Sequence, residues 1–183
     1  MDKRSQRSEI KKKMAALTAE YIRLSDAAIL DRLLSLPEYR SASFLFTYVS
    51  LGREVDTHAL ILHALGCGKR VAVPRCIGDG IMEFCEIRSL DEFAPGRMHI
   101  PEPGPGCVSI PLSAADFAVI PCVSCDRDRN RLGHGGGYYD RYLAQTSVPC
   151  AALCREALLL DAVCRESHDR SVDMVITERF IYA

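Results

Sequence analysis

Strands and helices alternate along this chain, and the alternation predicts an α/β fold: a mostly parallel sheet with helices on both faces, in three layers. Three observations carry the prediction. Short apolar runs recur at 42–49, 70–74, 117–121, 150–153 and 173–177. Segments with apolar residues three and four apart lie between several of them. Within the runs the apolar residues are consecutive, as in strands covered on both faces.

Residues 4–36 read as helical throughout, with Ile10, Met14, Leu17, Tyr21 and Leu24 drawing one apolar stripe. A short break near Leu17 is expected, after which Thr18 caps a second helix. Leu30, Leu33, Leu34 and Leu36 continue the apolar face until Pro37 ends it. Residues 42–49 are rich in aromatic and β-branched side chains and read as the first strand. A helix is expected over 56–65, with Asp56 or Thr57 as N-cap and Leu60, Ile61 and Leu65 facing inward. Residues 70–74 read as a buried strand parallel to the first, and 81–87 alternate as another. The stretch 94–111 holds five prolines and three glycines. It reads as a loop long enough to serve a function. Residues 117–121 form a short strand, a glycine loop follows, and a helix runs from about Tyr138 to Ala144. Residues 150–153 and 173–177 are the last strands.

The chain has 183 residues, which suits a single domain over 1–183 with a substantial core. Its formal net charge of −1 argues against a general nucleic-acid surface. No apolar run approaches the ~20 residues of a membrane span. The basic start Lys3-Arg4-Ser5-Gln6-Arg7 lacks the apolar region of an export signal, so a cytoplasmic location is expected; the chain is separately expected to be a monomer. The nine cysteines are odd in number and are expected as reduced thiols. Cys122 and Cys125 have CxxC spacing, which suits zinc or redox chemistry. Cys150 and Cys154 make a poor second pair because Cys150 falls in a strand, so the thiols read as small buried apolar residues.

The strongest chemical signal is the strand–loop–helix unit at 117–144. Gly133, Gly135, Gly136 and Gly137 stand just before a helix, where backbone amides can close on an anion. Arg131 stands at the loop's start, where its guanidinium could fork onto phosphate oxygens. Asp140 lies in the first helical turn and could hold a Mg2+ ion bridging those phosphates. The spacing matches neither the Walker pattern nor the dinucleotide fingerprint. It therefore predicts a phosphate-binding loop of another class, against the plain alternative of a tight turn whose acid complements the helix dipole.

The run Asn130-Arg131-Leu132-Gly133-His134-Gly135-Gly136-Gly137-Tyr138-Tyr139-Asp140-Arg141 resembles the signature of the 5-formyltetrahydrofolate cyclo-ligase family, which runs roughly RLGxGxGYYD. Lys3–Arg7, Pro37-Glu38-Tyr39, Glu54–Thr57, Val73-Pro74-Arg75, Ile100–Pro103, His168-Asp169 and Val172–Val175 match further family segments in type and order. The resemblance implies an ATP-dependent ring closure of 5-formyltetrahydrofolate to 5,10-methenyltetrahydrofolate, with release of ADP and phosphate. The formyl oxygen takes the γ-phosphoryl group, the nitrogen at position 10 attacks, and phosphate leaves.

Carried over by position, the resemblance implies that Lys3, Arg7 and the run Arg131, Leu132, Gly133, His134, Gly135, Gly136, Gly137, Tyr138 and Tyr139 bind ATP. Arg131 and Tyr138 are the catalytic candidates. Asp140 and Asp173 are the Mg2+ positions, and Val49 and Glu54 line the pocket for the reduced folate. His168 is expected to cap or support, with no catalytic role. Cys125, Arg129 and Gly136 stand where members often carry an aromatic residue, a glycine and a lysine. A non-catalytic nucleotide-binding relative, a sugar-phosphate isomerase and a thiol or zinc module are the competing functions.

Overall fold

A computed structural model describes residues 2–95, 101–104, 106–111, 115–167 and 169–183. Two helices open the chain, α1 (Lys3–Ala16) and α2 (Ala19–Ser35). The break between them is made by Thr18, whose hydroxyl accepts from the Tyr21 amide at 3.1 Å. This interruption rotates α2 out of phase with α1, so the apolar stripe does not run through both. Ile10 is fully buried, whereas Leu24, expected on the same stripe, is 52% exposed. Pro37 does more than end α2. It takes the first position of a short helix α3 (Pro37–Ser41), where its missing N–H costs nothing.

The sheet strands then follow with one helix between the first two: β1 (Phe44–Thr47), α4 (His58–Gly66), β2 (Arg70–Gly78) and β3 (Ile81–Ile87). The proline-rich stretch contributes β4 (Phe93–Pro95), β5 (Pro101–Pro103) and β6 (Ser109–Ile110). After them come β7 (Phe117–Ile120), a hairpin of β8 (Ser124–Cys125) and β9 (Arg131–Leu132), α5 (Tyr138–Leu143), β10 (Cys150–Leu153), β11 (Met174–Ile176) and β12 (Ile181–Tyr182). Eight strands form one sheet in the order β12-β11-β10-β7-β1-β2-β3-β6. The five central strands from β11 to β2 are parallel; β12 pairs antiparallel with β11 at one edge, and at the other β3 pairs antiparallel with β2 and β6 antiparallel with β3.

Consecutive strand residues point to opposite faces, and each face has its own core. Phe44, Phe46, Ala118, Ile120 and Ala152 pack with Ile10 of α1 and Leu143 of α5. Leu45, Val71, Phe117, Val119 and Ala151 pack on the other side with Ile29 and Leu33 of α2 and Leu60, Ile61 and Ala64 of α4. The three layers expected from the alternation are therefore present. Among the described residues no helix is long and apolar enough to cross a membrane.

One expectation about cysteine changes. Cys85 on β3 and Cys107 are joined by a disulfide across 22 positions, where free thiols were expected. Cys67, Cys76, Cys122, Cys125, Cys150, Cys154 and Cys164 are free.

Candidate active site

The chain passes from β1 to β2 on one side, then returns to lay β7 on the other side of β1. Such a reversal opens a crevice at the carboxyl ends of parallel strands. A cleft of about 1050 Å³ lies here. Val49 follows β1, Pro74 belongs to β2, and Pro121 and Cys122 follow β7; all four line it. Lys3 and Arg7 reach it from α1, and Glu54, Gly133, His134, Gly135, Gly136, Gly137, Tyr138, Tyr139 and Asp140 share its wall. The basic terminus, the glycine loop and the acidic loop thus face one space.

The glycine loop is shaped by two close approaches and two unusual torsions. A side chain on Gly133 would place its Cβ 2.8 Å from Nη1 of Arg131. One on Gly136 would press within 2.7 Å of the Tyr138 ring. Gly135 and Gly137 have φ of +106° and +66°, a region that side chains other than glycine's rarely enter. Arg7 anchors the loop, its Nε donating to the Gly133 carbonyl at 2.7 Å. Among the described residues, no acceptor meets the amides of Gly133, His134, Gly135, Gly136 and Gly137. Unpaired amides, glycine curvature and nearby cations give the loop the chemistry to receive an anion.

Arg131 differs from the expected free fork. The β8–β9 hairpin, which the sequence reading missed, buries it to 7% exposure. Its Nη1 donates to the Pro121 carbonyl at 3.1 Å and its Nη2 to Oδ1 of Asp140 at 2.8 Å. Among the described residues its buried Nε has no partner. The guanidinium lies 6.0 Å from the centre of the Tyr139 ring. Arg131 therefore ties β7 to the start of α5 and carries positive charge beneath the loop. Tyr138 is partly buried, with its hydroxyl 3.4 Å from the Gly78 carbonyl.

Lys3 is held at the cleft's edge by Asp169 at 2.7 Å and Glu166 at 3.2 Å. Burial disfavours its charge, but the two carboxylates outweigh that and raise its pKa above the ordinary lysine value. On the opposite wall, Glu54 accepts from the Leu51 amide at 2.8 Å through Oε2 and meets His134 Nε2 at 3.1 Å through Oε1. His134 thus links the glycine loop to the acidic loop. Arg155 fixes that acidic loop from below. It is 1% exposed, donates to the carbonyls of Arg53 at 2.8 Å and Glu54 at 3.1 Å, and bonds Ser25 and Asp26 of α2.

Two expected site residues lie elsewhere. Asp173 precedes β11, at the opposite end of the sheet from the cleft, and accepts from the Cys150 amide at 2.8 Å. It caps a strand edge and is not beside Asp140. Leu132 is 1% exposed and packs in the core; its carbonyl accepts from Val123 at 2.8 Å. It anchors the loop from within the core. His168 lies outside the described residues.

Other lining residues escaped the sequence reading. Glu102 on β5 is 6% exposed and lines the cleft, so the proline-rich stretch does contribute to it. Its place inside Pro101-Glu102-Pro103 was the available signal. Tyr48 also lines the cleft, with its hydroxyl bonded to the Val55 carbonyl at 3.0 Å and its pKa raised well above normal by burial. Cys122 is the third. Its thiol pKa is held well below normal by hydrogen bonds from Cys125 and Cys154, then by the charges of Arg131 and His134.

Comparison with known proteins gives the family and the fold. The sequence model of the 5-formyltetrahydrofolate cyclo-ligase family matches residues 1–178. A 5-formyltetrahydrofolate cyclo-ligase of Mus musculus is 27% identical, over 96% of this chain and 93% of its own. One of Haemophilus influenzae is 33% identical over 75% of each chain. The solved structure of 5,10-methenyltetrahydrofolate synthetase from Aquifex aeolicus superposes with a TM-score of 0.86 at 26% identity, covering 99% of this chain and 92% of that one. The synthetase from Mycoplasma pneumoniae shares the fold at a TM-score of 0.79 and 23% identity, covering 97% and 99%.

Proposed function

Because this chain belongs to the 5-formyltetrahydrofolate cyclo-ligase family, enzymes that convert 5-formyltetrahydrofolate to 5,10-methenyltetrahydrofolate, we propose that it drives this ring closure with ATP and Mg2+ in the cleft between the glycine loop and Glu54. The observation that carries the reading is the row of five unpaired amides from Gly133 to Gly137, flanked by Lys3, Arg7 and Arg131. A triphosphate supplies the oxygens these donors lack. Because α5 has only six residues, the receptor is the loop itself more than a helix dipole.

The residues suit Mg2+ held mainly by its nucleotide. Asp140 offers a carboxylate in the cleft, and among the described residues it belongs to no group of three or more candidate metal ligands. Mg2+ is commonly bound by one or two carboxylates together with substrate phosphates and water. When bound, it neutralises phosphate charge. Asp173 is not needed for this and is not part of the proposal.

Glu54 and Val49 take the folate side. A carboxylate fits the amino and amide N–H groups of a pterin, and His134 is the bond that a pterin would displace or share. Lys3, Arg7 and the loop amides orient the γ-phosphoryl group toward the formyl oxygen, and Arg131 and Tyr138 flank the reacting end. Phosphorylation turns a poor leaving oxygen into a good one, so positioning and charge neutralisation are the protein's task. A cytoplasmic setting and a monomeric chain belong to this reading; the seven free thiols fit the setting, and the Cys85–Cys107 disulfide stands against it.

The test is a purified chain supplied with 5-formyltetrahydrofolate, ATP and Mg2+. Methenyl absorbance should appear with one ADP per product and vanish when either nucleotide or Mg2+ is omitted. Product formed without nucleotide, or bound ATP with no product, overturns the reading.

A further inference from the structure

We propose that Cys122, Cys125 and Cys154 form a binding site for one thiophilic divalent cation of closed d shell, Zn2+ being the natural candidate. The spacing Cys122-Val123-Ser124-Cys125 brings two thiols together, and the fold supplies the third. Cys154 follows β10, the parallel neighbour of the strand that precedes Cys122. The three sulfurs lie within 4.8 Å of one another. Thiolates about 2.3 Å from a tetrahedral Zn2+ stand roughly 3.8 Å apart, so side-chain adjustments of about 1 Å complete the coordination. Cys150, the partner that the sequence offered, is buried in its strand and is not in the cluster.

The backbone around these thiols is already held. The Cys125 carbonyl accepts from Leu160 at 2.9 Å, and β8 is paired to β9. Cys125 and Cys154 are 0% and 3% exposed, while Cys122 is partly exposed and lines the cleft. Cys122 opens onto the cleft, which gives the cation an entry path. Among the described residues no histidine or carboxylate joins the three sulfurs. On binding, each thiol gives its proton to solvent, leaving three thiolates and a dication with a net charge of −1. Arg131 stands ready to balance it, because its Nη1 holds the carbonyl of Pro121, the residue before Cys122.

Occupancy would tie the ends of β7 and β10 to the β8 hairpin and brace the wall that carries Arg131. Packing thiols as plain core fillers requires no such convergence of three sulfurs at a cleft.

The experiment titrates the full chain, stripped with a chelator and kept reduced with a phosphine, first with Cd2+ as spectroscopic probe and then with Zn2+ against a chromogenic chelator. One equivalent of Cd2+ should bind with a thiolate charge-transfer band, and X-ray absorption should count three sulfurs around the ion. Cys122→Ser, at the most exposed of the three, should weaken binding roughly tenfold or more. Cys67→Ser, on the exposed end of α4, should change nothing. Absence of stoichiometric binding, fewer than three sulfurs, or full affinity in Cys122→Ser overturns the proposal, and each readout stands whatever the ring-closure assay shows.

Discussion

Nη2 of Arg131 donates to Oδ1 of Asp140 across 2.8 Å, joining a guanidinium side chain only 3% exposed to a carboxylate 21% exposed at the mouth of the cleft. One bond thus couples the arginine beneath the glycine loop to the acid proposed for Mg2+. Arg131→Lys cannot hold both Pro121 and Asp140, because a lysine lacks the planar fork. It should lower kcat/KM by about 100-fold or more, of the order seen when one charge-stabilising donor is removed. Asp140→Asn should instead raise the Mg2+ concentration needed for half-maximal rate. Steady-state kinetics across a Mg2+ series checks both, and unchanged Mg2+ dependence in Asp140→Asn removes the metal assignment.

If Glu54 serves the folate as proposed, its loss should affect one substrate and spare the other. Glu54→Gln keeps the shape but removes a charged acceptor, worth about 1.5–3 kcal/mol for a charge-assisted bond. The KM for 5-formyltetrahydrofolate should rise by roughly 10- to 100-fold. The KM for ATP should stay within about twofold, as among the described residues only His134 links Glu54 to the glycine loop. Equal rises in both would show that Glu54 supports the fold of the cleft and not the folate alone.

Arg155 links α2 to the acidic loop through Ser25, Asp26 and the carbonyls of Arg53 and Glu54. Arg155→Met leaves Asp26 half-buried without its cation and two carbonyls without donors. A loss of about 3–5 kcal/mol is expected in a denaturation curve. Under conditions where the variant remains folded, its KM for folate should rise more than its KM for ATP.

Arg129 has φ of +68°, the left-handed region, in the turn where Arg129 donates its amide to the Asp126 carbonyl at 3.2 Å. A side chain here costs about 1–2 kcal/mol, partly offset by the larger freedom that glycine has when unfolded. Arg129→Gly should therefore raise stability by about 0.5–1 kcal/mol and leave catalysis unchanged. A drop in melting temperature would mean that the weak 3.4 Å bond from Arg129 to the Asp173 carbonyl matters more than the strain.

The sequence alone determined the α/β class and the identity of the glycine loop. Both are written in local chemistry. Consecutive apolar residues mark strands buried on two faces, and a run of glycines before a tyrosine pair marks a backbone that must bend around something. Glu54, Lys3 and Arg7 were legible through the family likeness, and the structure brings them to one cleft. The tertiary structure alone decided the rest, because those features depend on which strand ends meet. Asp173 looked acidic and available but sits at the wrong end of a parallel strand, where it caps the sheet edge. Leu132 sits inside the loop signature but faces the core, since a hairpin too short to leave a period turns it inward. Cys154 completes a thiol cluster with Cys122 and Cys125 only because β10 lies beside β7. Arg155, invisible as a lone arginine, becomes the support of Glu54 because folding buries it where unpaired carbonyls need a donor.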